Sequence, residues 1–151
     1  MGVGKFDARE FFRGLDNAAD KLELAMTQTA REGIAEITGQ AVIMAPVDEG
    51  TLRGSGSYFV QGRFVADTVA QARGKANAKP DPNRSGGPEV RPRSKEIRAT
   101  VGFNQPYAAI QHEEDYRHPQ GGEKKYLEKA IRKIRPKIRP LALRFAKRAG
   151  F

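Results

Sequence analysis

The densest cluster of reactive side chains in the sequence is the run 112–118, His-Glu-Glu-Asp-Tyr-Arg-His. Imidazole and carboxylate groups are common ligands of zinc and related metals, so the run raises the question of a metal or nuclease site. The zinc-protease pattern requires a second histidine one helical turn after the first, but Tyr116 holds that position and His118 precedes Pro119. The pattern therefore fails, and a salt-bridged loop in which Arg117 pairs with a carboxylate is favoured over a loop metal site.

The other candidate groups are weaker. Asp48 and Glu49 are adjacent carboxylates beside Gly50, an arrangement far commoner in turns than in acid/base sites. The run 73–75, Arg-Gly-Lys, lacks the glycine spacing of a phosphate-binding loop. The chain has no cysteine and two histidines, so disulfides and thiolate sites are excluded. We therefore predict a protein that is not an enzyme, with no catalytic residue, metal site or cofactor.

Composition predicts one soluble domain of 151 residues with a thin core, since 30% of residues are charged and 38% hydrophobic. There is no apolar run of about 18 residues, so neither a membrane-spanning helix nor a membrane partner is expected. The net charge is +9, and residues 124–148 alone carry eleven cations against the single anion Glu128. Two interpretations of this segment stay open: a solvated helix face, or a surface for DNA or an acidic partner.

A long helix must precede the carboxylate pair. Asp7 and Glu10 have capping-box spacing, which indicates a helix start near Asp7, and Gly14 is a candidate interruption. Apolar residues then recur at steps of three, four or seven, which predicts a helix over 16–45 after an N-terminal arm over 1–15. A small sheet cannot cover so long a helix, so packing of its stripe against neighbouring subunits and ordinary core packing are both retained.

Pro46 should end this helix, because the residue before a proline is disfavoured in the α region. Strands are predicted over 51–60, 64–69 and 96–103, the first two joined by a hairpin turn. Tyr107 to His112 is either a short strand or a helical turn. The prediction is thus an α+β fold in a single domain, 1–151, with a sheet region over 51–112.

Two regions stand apart from this core. The run 71–95 is rich in glycine, proline and polar residues and is predicted to be a flexible basic loop, either a tolerated insertion or a segment that orders on assembly. A basic helix and tail is predicted over 123–151. Pro136 and Pro140 should bend or break it, because each lacks a backbone donor.

Three motifs resemble those of minor structural proteins of long-tailed double-stranded DNA bacteriophages, the tail-component, tail-completion or neck proteins. The first is the run 45–53, Ala-Pro-Val-Asp-Glu-Gly-Thr-Leu-Arg. The second is Val101-Gly102-Phe103 followed by Tyr107-Ala108 and His112-Glu113. The third is the run 125–130, Lys-Tyr-Leu-Glu-Lys-Ala. The motifs occur in the family's order, whereas the loop 71–95 and the tail from Arg135 depart from its shared pattern.

The resemblance implies a virion structural protein, made in the host bacterial cytoplasm, that completes the tail and joins it to the head. It implies a homo-oligomeric ring around the DNA passage, a hexamer in preference to a dodecamer, in contact with neck and tail proteins and, non-specifically, with packaged DNA. A minor capsid or head-closure protein of the same particle and a basic DNA-binding module are the alternatives.

Candidate contact residues follow from the motifs and the charge. The subunit or partner interface is predicted to include Asp48, Glu49, Arg53, His112, Glu113, Tyr116, Arg117 and His118. Contact with DNA in the lumen, or with an acidic partner, is predicted for Arg73, Lys75, Lys79, Arg84, Arg132, Lys133, Arg135, Lys137 and Arg139. Structural roles are expected for others: Arg53 bridging to a carboxylate, Leu52 packing under the sheet, and Val101, Tyr107 and Ile110 in the core.

Overall fold

Two long helices and a small antiparallel sheet make up the structure, a computed structural model that describes residues 8–47, 51–60, 63–67, 97–103, 105–115, 118–119 and 121–151. The elements are α1 (Ala8–Met44), α2 (Thr51–Gly54), β1 (Gly56–Val60), β2 (Arg63–Asp67), β3 (Ala99–Phe103), α3 (Ala108–Glu113) and α4 (Tyr126–Arg148). This arrangement confirms the predicted α+β class. The predicted loop 71–95 lies outside the described residues.

Helix α1 is longer than the sequence pattern predicted. It runs unbroken through Gly14, so residues 8–15 are helical and not a separate arm. A solvent-exposed glycine costs a helix only about 1 kcal/mol, and Ala8, Arg9 and Leu15 around it are good helix formers. The helix ends at Met44, as the proline at position 46 predicted. Its 37 residues span about 55 Å at 1.5 Å per residue.

Helix α4 packs antiparallel along the C-terminal two thirds of α1. Ala41 and Ala130 share one buried cluster, and Ala25 shares another with Leu141 and Phe145. The two helices approach closely at Gly33, where an added Cβ would lie 2.7 Å from Cδ1 of Ile138. Small residues on α1 therefore let the larger side chains of α4 pack against the backbone of α1.

Helix α4 also runs through its two prolines without ending, which corrects the predicted break. The missing N–H of Pro136 would have bonded to the Arg132 carbonyl, and that of Pro140 to the carbonyl of Pro136. All three residues are exposed, so water can satisfy the two carbonyl oxygens. The opposite face of α4 buries Ala130, Ile134, Leu141 and Phe145 against the rest of the molecule.

The sheet has the order β2-β1-β3, with β1 in the centre. Val60 lies opposite Arg63 in the β1–β2 pair, which confirms the predicted hairpin, and Tyr58 lies opposite Val101 in the β1–β3 pair. The predicted first strand was wrong at its start, because 51–54 form the helical turn α2. Ser55 favours that turn, since its hydroxyl donates to the Leu52 carbonyl at 2.7 Å and competes with strand pairing.

The core predictions held for two residues and failed for one. Val101 packs against the cluster of Ile34, Tyr58 and Val60, and Tyr107 packs against the cluster that contains Leu52 and Tyr126. Ile110 is 50% exposed. The segment 108–113 is a helix, not a strand, and its buried face is set by Ala108, so a residue two positions later points away from the core.

Candidate functional site

The three sequence motifs, far apart along the chain, meet around the side chain of Tyr126. One buried cluster holds Ala45 and Leu52 from the first motif, Ala108 from the second, and Tyr126 and Ala130 from the third. Phe103 and Tyr107 are half-buried and pack against the same cluster. The structure thus brings together the residues that carry the family resemblance, and it does so through packing.

Tyr126 is 2% exposed and belongs to this buried cluster. Its hydroxyl donates to the carbonyl oxygen of Ala108 at 3.2 Å. The rings of Phe103 and His112 meet its ring edge-on, each with a centroid separation of 5.0 Å. Burial raises the pKa of the Tyr126 phenol to about 12, because desolvation disfavours the phenolate. The side chain is therefore a neutral packing centre at physiological pH.

The side chain of Arg53, predicted to bridge to a carboxylate, donates two hydrogen bonds to the end of α1. Its Nε donates to the carbonyl oxygen of Ala45 at 2.8 Å, and Nη2 donates to that of Ile43 at 2.9 Å. These carbonyls belong to the last turn, where helical partners are missing and the helix dipole favours a cation. The side chain is only 8% exposed, and burial lowers the pKa of the guanidinium from its usual value. Asp48 and Glu49 lie outside the described residues, so a carboxylate bridge to them stays a prediction.

Two glycines clamp the Pro46 turn from the other side. The Val47 N–H donates to the Gly121 carbonyl at 3.0 Å, and the Glu123 N–H donates to the Met44 carbonyl at 2.8 Å. Gly122 has a φ of +111°, and a Cβ there would lie 2.2 Å from the Cα of Pro46. Only glycine fits such a position. No pattern in the sequence predicted this contact.

A side-chain hydrogen bond also joins the first and second motifs. The hydroxyls of Thr51 and Tyr107 lie 2.7 Å apart, and either can donate. The bond fixes α2 to the start of α3 at the edge of the Tyr126 cluster. The spacing of residues within one motif does not reveal which residue of another motif they contact, so no sequence signal pointed to this pair.

In the polar run that first suggested chemistry, the carboxylates of Glu113 and Asp115 form ion pairs at the surface. Glu113 accepts hydrogen bonds from Lys125 Nζ at 2.6 Å and pairs with His112 Nδ1 at 2.7 Å. The pKa of the Glu113 carboxyl is lowered, most by the hydrogen bond from Lys125 and next by the hydrogen bond from His112. Asp115 pairs with Lys124 at 2.8 Å, and that hydrogen bond lowers the pKa of the Asp115 carboxyl.

The two histidines do not assemble a metal site with these groups. Among the described residues, Nε2 of His112 and Nε2 of His118 are buried atoms without a hydrogen-bond partner. Over the described ranges, however, no three His, Asp or Glu side chains come together as ligands. Tyr116 and Arg117 lie outside the described residues. Their predicted interface roles, with those of His112, Glu113 and His118, stay predictions.

The basic face of α4 is partly committed to contacts within the chain. Lys133 donates to Oε1 of Gln40 at 2.7 Å, Arg132 pairs with Glu128 at 3.1 Å, and Lys137 lies 3.7 Å from Glu36. Among the described residues, Arg135 and Arg139 are exposed and make no ion pair. Of the predicted DNA-contact residues, Arg73, Lys75, Lys79 and Arg84 lie outside the described part of the chain.

An apolar groove of about 420 Å³ lies between α1, β3 and α4. Met26, Ile97 and Ile138 are among its walls, and Thr29 is a polar group in the lining. The Thr29 hydroxyl is already bonded to the Ala25 carbonyl at 2.8 Å. Enzyme pockets place several convergent polar groups around a substrate, and the described walls of this groove do not.

No family model, no curated protein and no solved structure matches the chain. Within the described part of the chain, neither long helix has both the length and the apolar character needed to cross a bilayer.

Proposed function

We propose that this chain is a structural protein of a bacteriophage virion, a neck or tail-completion subunit that forms a ring around the DNA passage between head and tail. The observation that carries the proposal is the meeting of three motifs around Tyr126. Residues with the family resemblance form one buried cluster, so they specify a shape and not a reaction.

The proposed role is non-enzymatic, and the state of the polar groups supports this. The Tyr126 phenol has a pKa of about 12 and stays protonated. The Arg53 guanidinium donates to carbonyls at the end of α1. The Glu113 carboxylate lies between Lys125 and His112 at the surface. A general acid or base works best with a pKa near the operating pH. None of these groups has a pKa shifted to that range.

The exposed surface of α1 supports an assembled state. Leu15, Leu22, Leu24 and Met26 are each about half exposed, between 45% and 58%. Scattered exposed leucines are ordinary on a monomer, but these four lie within twelve residues of one helix, and Leu15, Leu22 and Met26, at steps of seven and four, share one side of it. An apolar surface of this kind on a projecting helix is typical of a surface that a partner covers.

The proposal is tested by locating the protein. Negative-stain and cryo-electron microscopy of the purified full chain should show closed rings, six-membered in preference to twelve-membered. In the phage that encodes it, a tagged copy should label the head–tail junction, and deletion should leave heads and tails unjoined. Label on the capsid shell or at the head-closure position would favour the alternative of a minor capsid or head-closure protein. Intact, infectious particles without the protein would contradict both.

A DNA-binding module is a second candidate, favoured by one observation. Arg135 and Arg139 are exposed and have no ion pair among the described residues, on a helix with a large excess of positive charge. If DNA is the main partner, the isolated chain should bind duplex DNA with a logarithmic salt slope of about −0.9 for each phosphate neutralised. A flat salt dependence would exclude this candidate.

A further inference from the structure

One exposed ridge of α1 carries two acidic side chains between two large apolar ones. Phe12, Asp16, Asp20 and Leu24 follow at intervals of four residues, so they form a row along one side of the helix. Phe12 is 61% exposed and Leu24 58%, and both aspartates are exposed. Neither aspartate makes an ion pair within the described part of the chain. We call this row the acidic ridge.

A matching row with the opposite charge lies on α4. Ile131, Arg135, Arg139 and Leu143 are also spaced by four residues, with two cations between two apolar side chains. Ile131 is 42% exposed and Leu143 54%, and both arginines are exposed. We call this row the basic ridge.

We propose that the acidic ridge of one molecule docks on the basic ridge of a second copy of this chain. Each ridge spans thirteen residues from first to last, which is twelve steps along the helix or about 18 Å. Ridges formed by residues four apart interdigitate in the commonest mode of helix packing. In this pairing the apolar residues meet at the two ends, and the two aspartates face the two arginines in the middle.

The two ridges cannot meet within one molecule. Helix α4 is antiparallel to α1, and Ala130 lies in the same buried cluster as Ala41. Ala41 is 29 residues along α1 from Phe12, a distance of about 43 Å. At its other end α4 packs on Ala25 through Leu141 and Phe145. Arg135 and Arg139 lie between these two contacts, alongside the C-terminal half of α1, so the basic ridge does not reach Asp16 and Asp20 of its own molecule.

The proposed contact describes how neighbouring copies would join in the ring, and its biological role rests on the proposed function. The ridges are different surfaces of the same molecule, so the contact is heterologous: each copy offers an acidic ridge to one neighbour and a basic ridge to another. Heterologous contacts build closed rings or open filaments, depending on the rotation between copies.

Charge reversal of the full-length chain tests the contact. One variant combines Asp16→Lys with Asp20→Lys, and a second combines Arg135→Glu with Arg139→Glu. Sedimentation velocity over a range of concentrations should show self-association of the unmodified chain, weakened at least tenfold in each variant. An equimolar mixture of the two variants should restore it, because each reversed ridge then meets a ridge of opposite charge. The variant with all four changes should associate for the same reason.

The control variant combines Glu10→Lys with Glu114→Lys, which changes the net charge as much as the aspartate variant does. Glu10 is two residues from Phe12, on the opposite side of α1, and both glutamates are exposed. This control should associate like the unmodified chain. Circular dichroism should show unchanged folding for all variants, since every substituted side chain is exposed.

The outcomes separate this contact from the ring itself. Rings that persist through both reversals would leave the ring proposal standing and overturn the contact. A contact that responds to reversal and rescue but yields only a twofold dimer would support the contact and contradict the ring. A monomer at every concentration, failure of the mixture to restore association, or loss of DNA binding alone in the arginine variant would each overturn the contact.

Discussion

The guanidinium of Arg53 closes the C-terminal end of α1, because its Nε donates a hydrogen bond to the Ala45 carbonyl at 2.8 Å. A second bond reaches the carbonyl of Ile43. The helix end is thereby fixed to the turn α2 eight residues later, and the direction in which the chain enters the sheet is set. Within the first motif, Pro46 ends α1 and Arg53 caps the end of the same helix.

Replacement of Arg53 by leucine should destabilise the fold by about 2–4 kcal/mol, because the buried carbonyl of Ala45 and the part-buried carbonyl of Ile43 lose their donors. Arg53→Lys should recover part of this, since an ammonium supplies charge but not the two-pronged geometry. Urea denaturation measures both. Arg132→Leu, which removes an exposed pair with Glu128, is the control and should cost less than about 1 kcal/mol. An equal effect of the two leucine variants would contradict the capping role.

Gly122→Ala should cost more than Gly121→Ala. Both glycines have positive φ, but a Cβ at 122 would lie 2.2 Å from Pro46 Cα, whereas at 121 it would meet nothing within 4 Å. We expect about 1 kcal/mol at position 121 from the backbone alone, and above about 3 kcal/mol at 122, where backbone must move. Thermal denaturation of the matched pair measures the difference. Equal melting temperatures of the two variants would show that Pro46 does not pack tightly against Gly122.

Tyr126→Phe should lower stability by about 0.5–1.5 kcal/mol, the usual worth of one hydrogen bond, here the bond to the Ala108 carbonyl. Tyr126→Ala should cost about 3–5 kcal/mol, because it empties the centre of the cluster. Unfolding by denaturant compares the two. A phenylalanine variant as unstable as the alanine one would mean that the hydroxyl matters more than the ring.

The same tyrosine should make stability depend on alkaline pH. Its pKa is about 12 in the folded chain against the ordinary value of 10.0. Above pH 10 the unfolded chain loses this proton while the folded chain keeps it, so deprotonation favours unfolding. The contribution is therefore complete below pH 10 and is lost as the pH rises to about 12. The difference in unfolding free energy between the unmodified chain and Tyr126→Phe should shrink over this window. A constant difference would show that the phenol titrates normally.

Gly14→Ala should stabilise the protein by about 0.5–1 kcal/mol, because the position is helical and alanine is the better helix former. The site lies in the middle of the exposed N-terminal part of α1, with nothing within 4 Å of an added Cβ. A rise in melting temperature with an unchanged oligomeric state is the expected result. A loss of stability would show that the helix does not continue through residue 14.

Local signals in the sequence determined much of the fold. The apolar spacing before Pro46 predicted α1, and the proline itself predicted where it ends, because both depend on the backbone of neighbouring residues. The hairpin and the third strand followed from short-range patterns in the same way. Gly14 does not interrupt α1, and Pro136 and Pro140 do not end α4, since exposed helix positions tolerate these residues when tertiary packing holds the rest of the helix.

Only the tertiary structure decided what the motif residues do. Arg53 caps the end of α1, a role that its place in the motif did not reveal, and Gly122 proved necessary because Pro46, far away in sequence, packs against it. Tyr126 became the centre of the site because three separated segments bury it together. Contacts of this kind depend on which surfaces meet after the helices pack. Periodicity and composition describe each segment alone, and so the sequence by itself determined the elements while the packing of α1 against α4 decided the site.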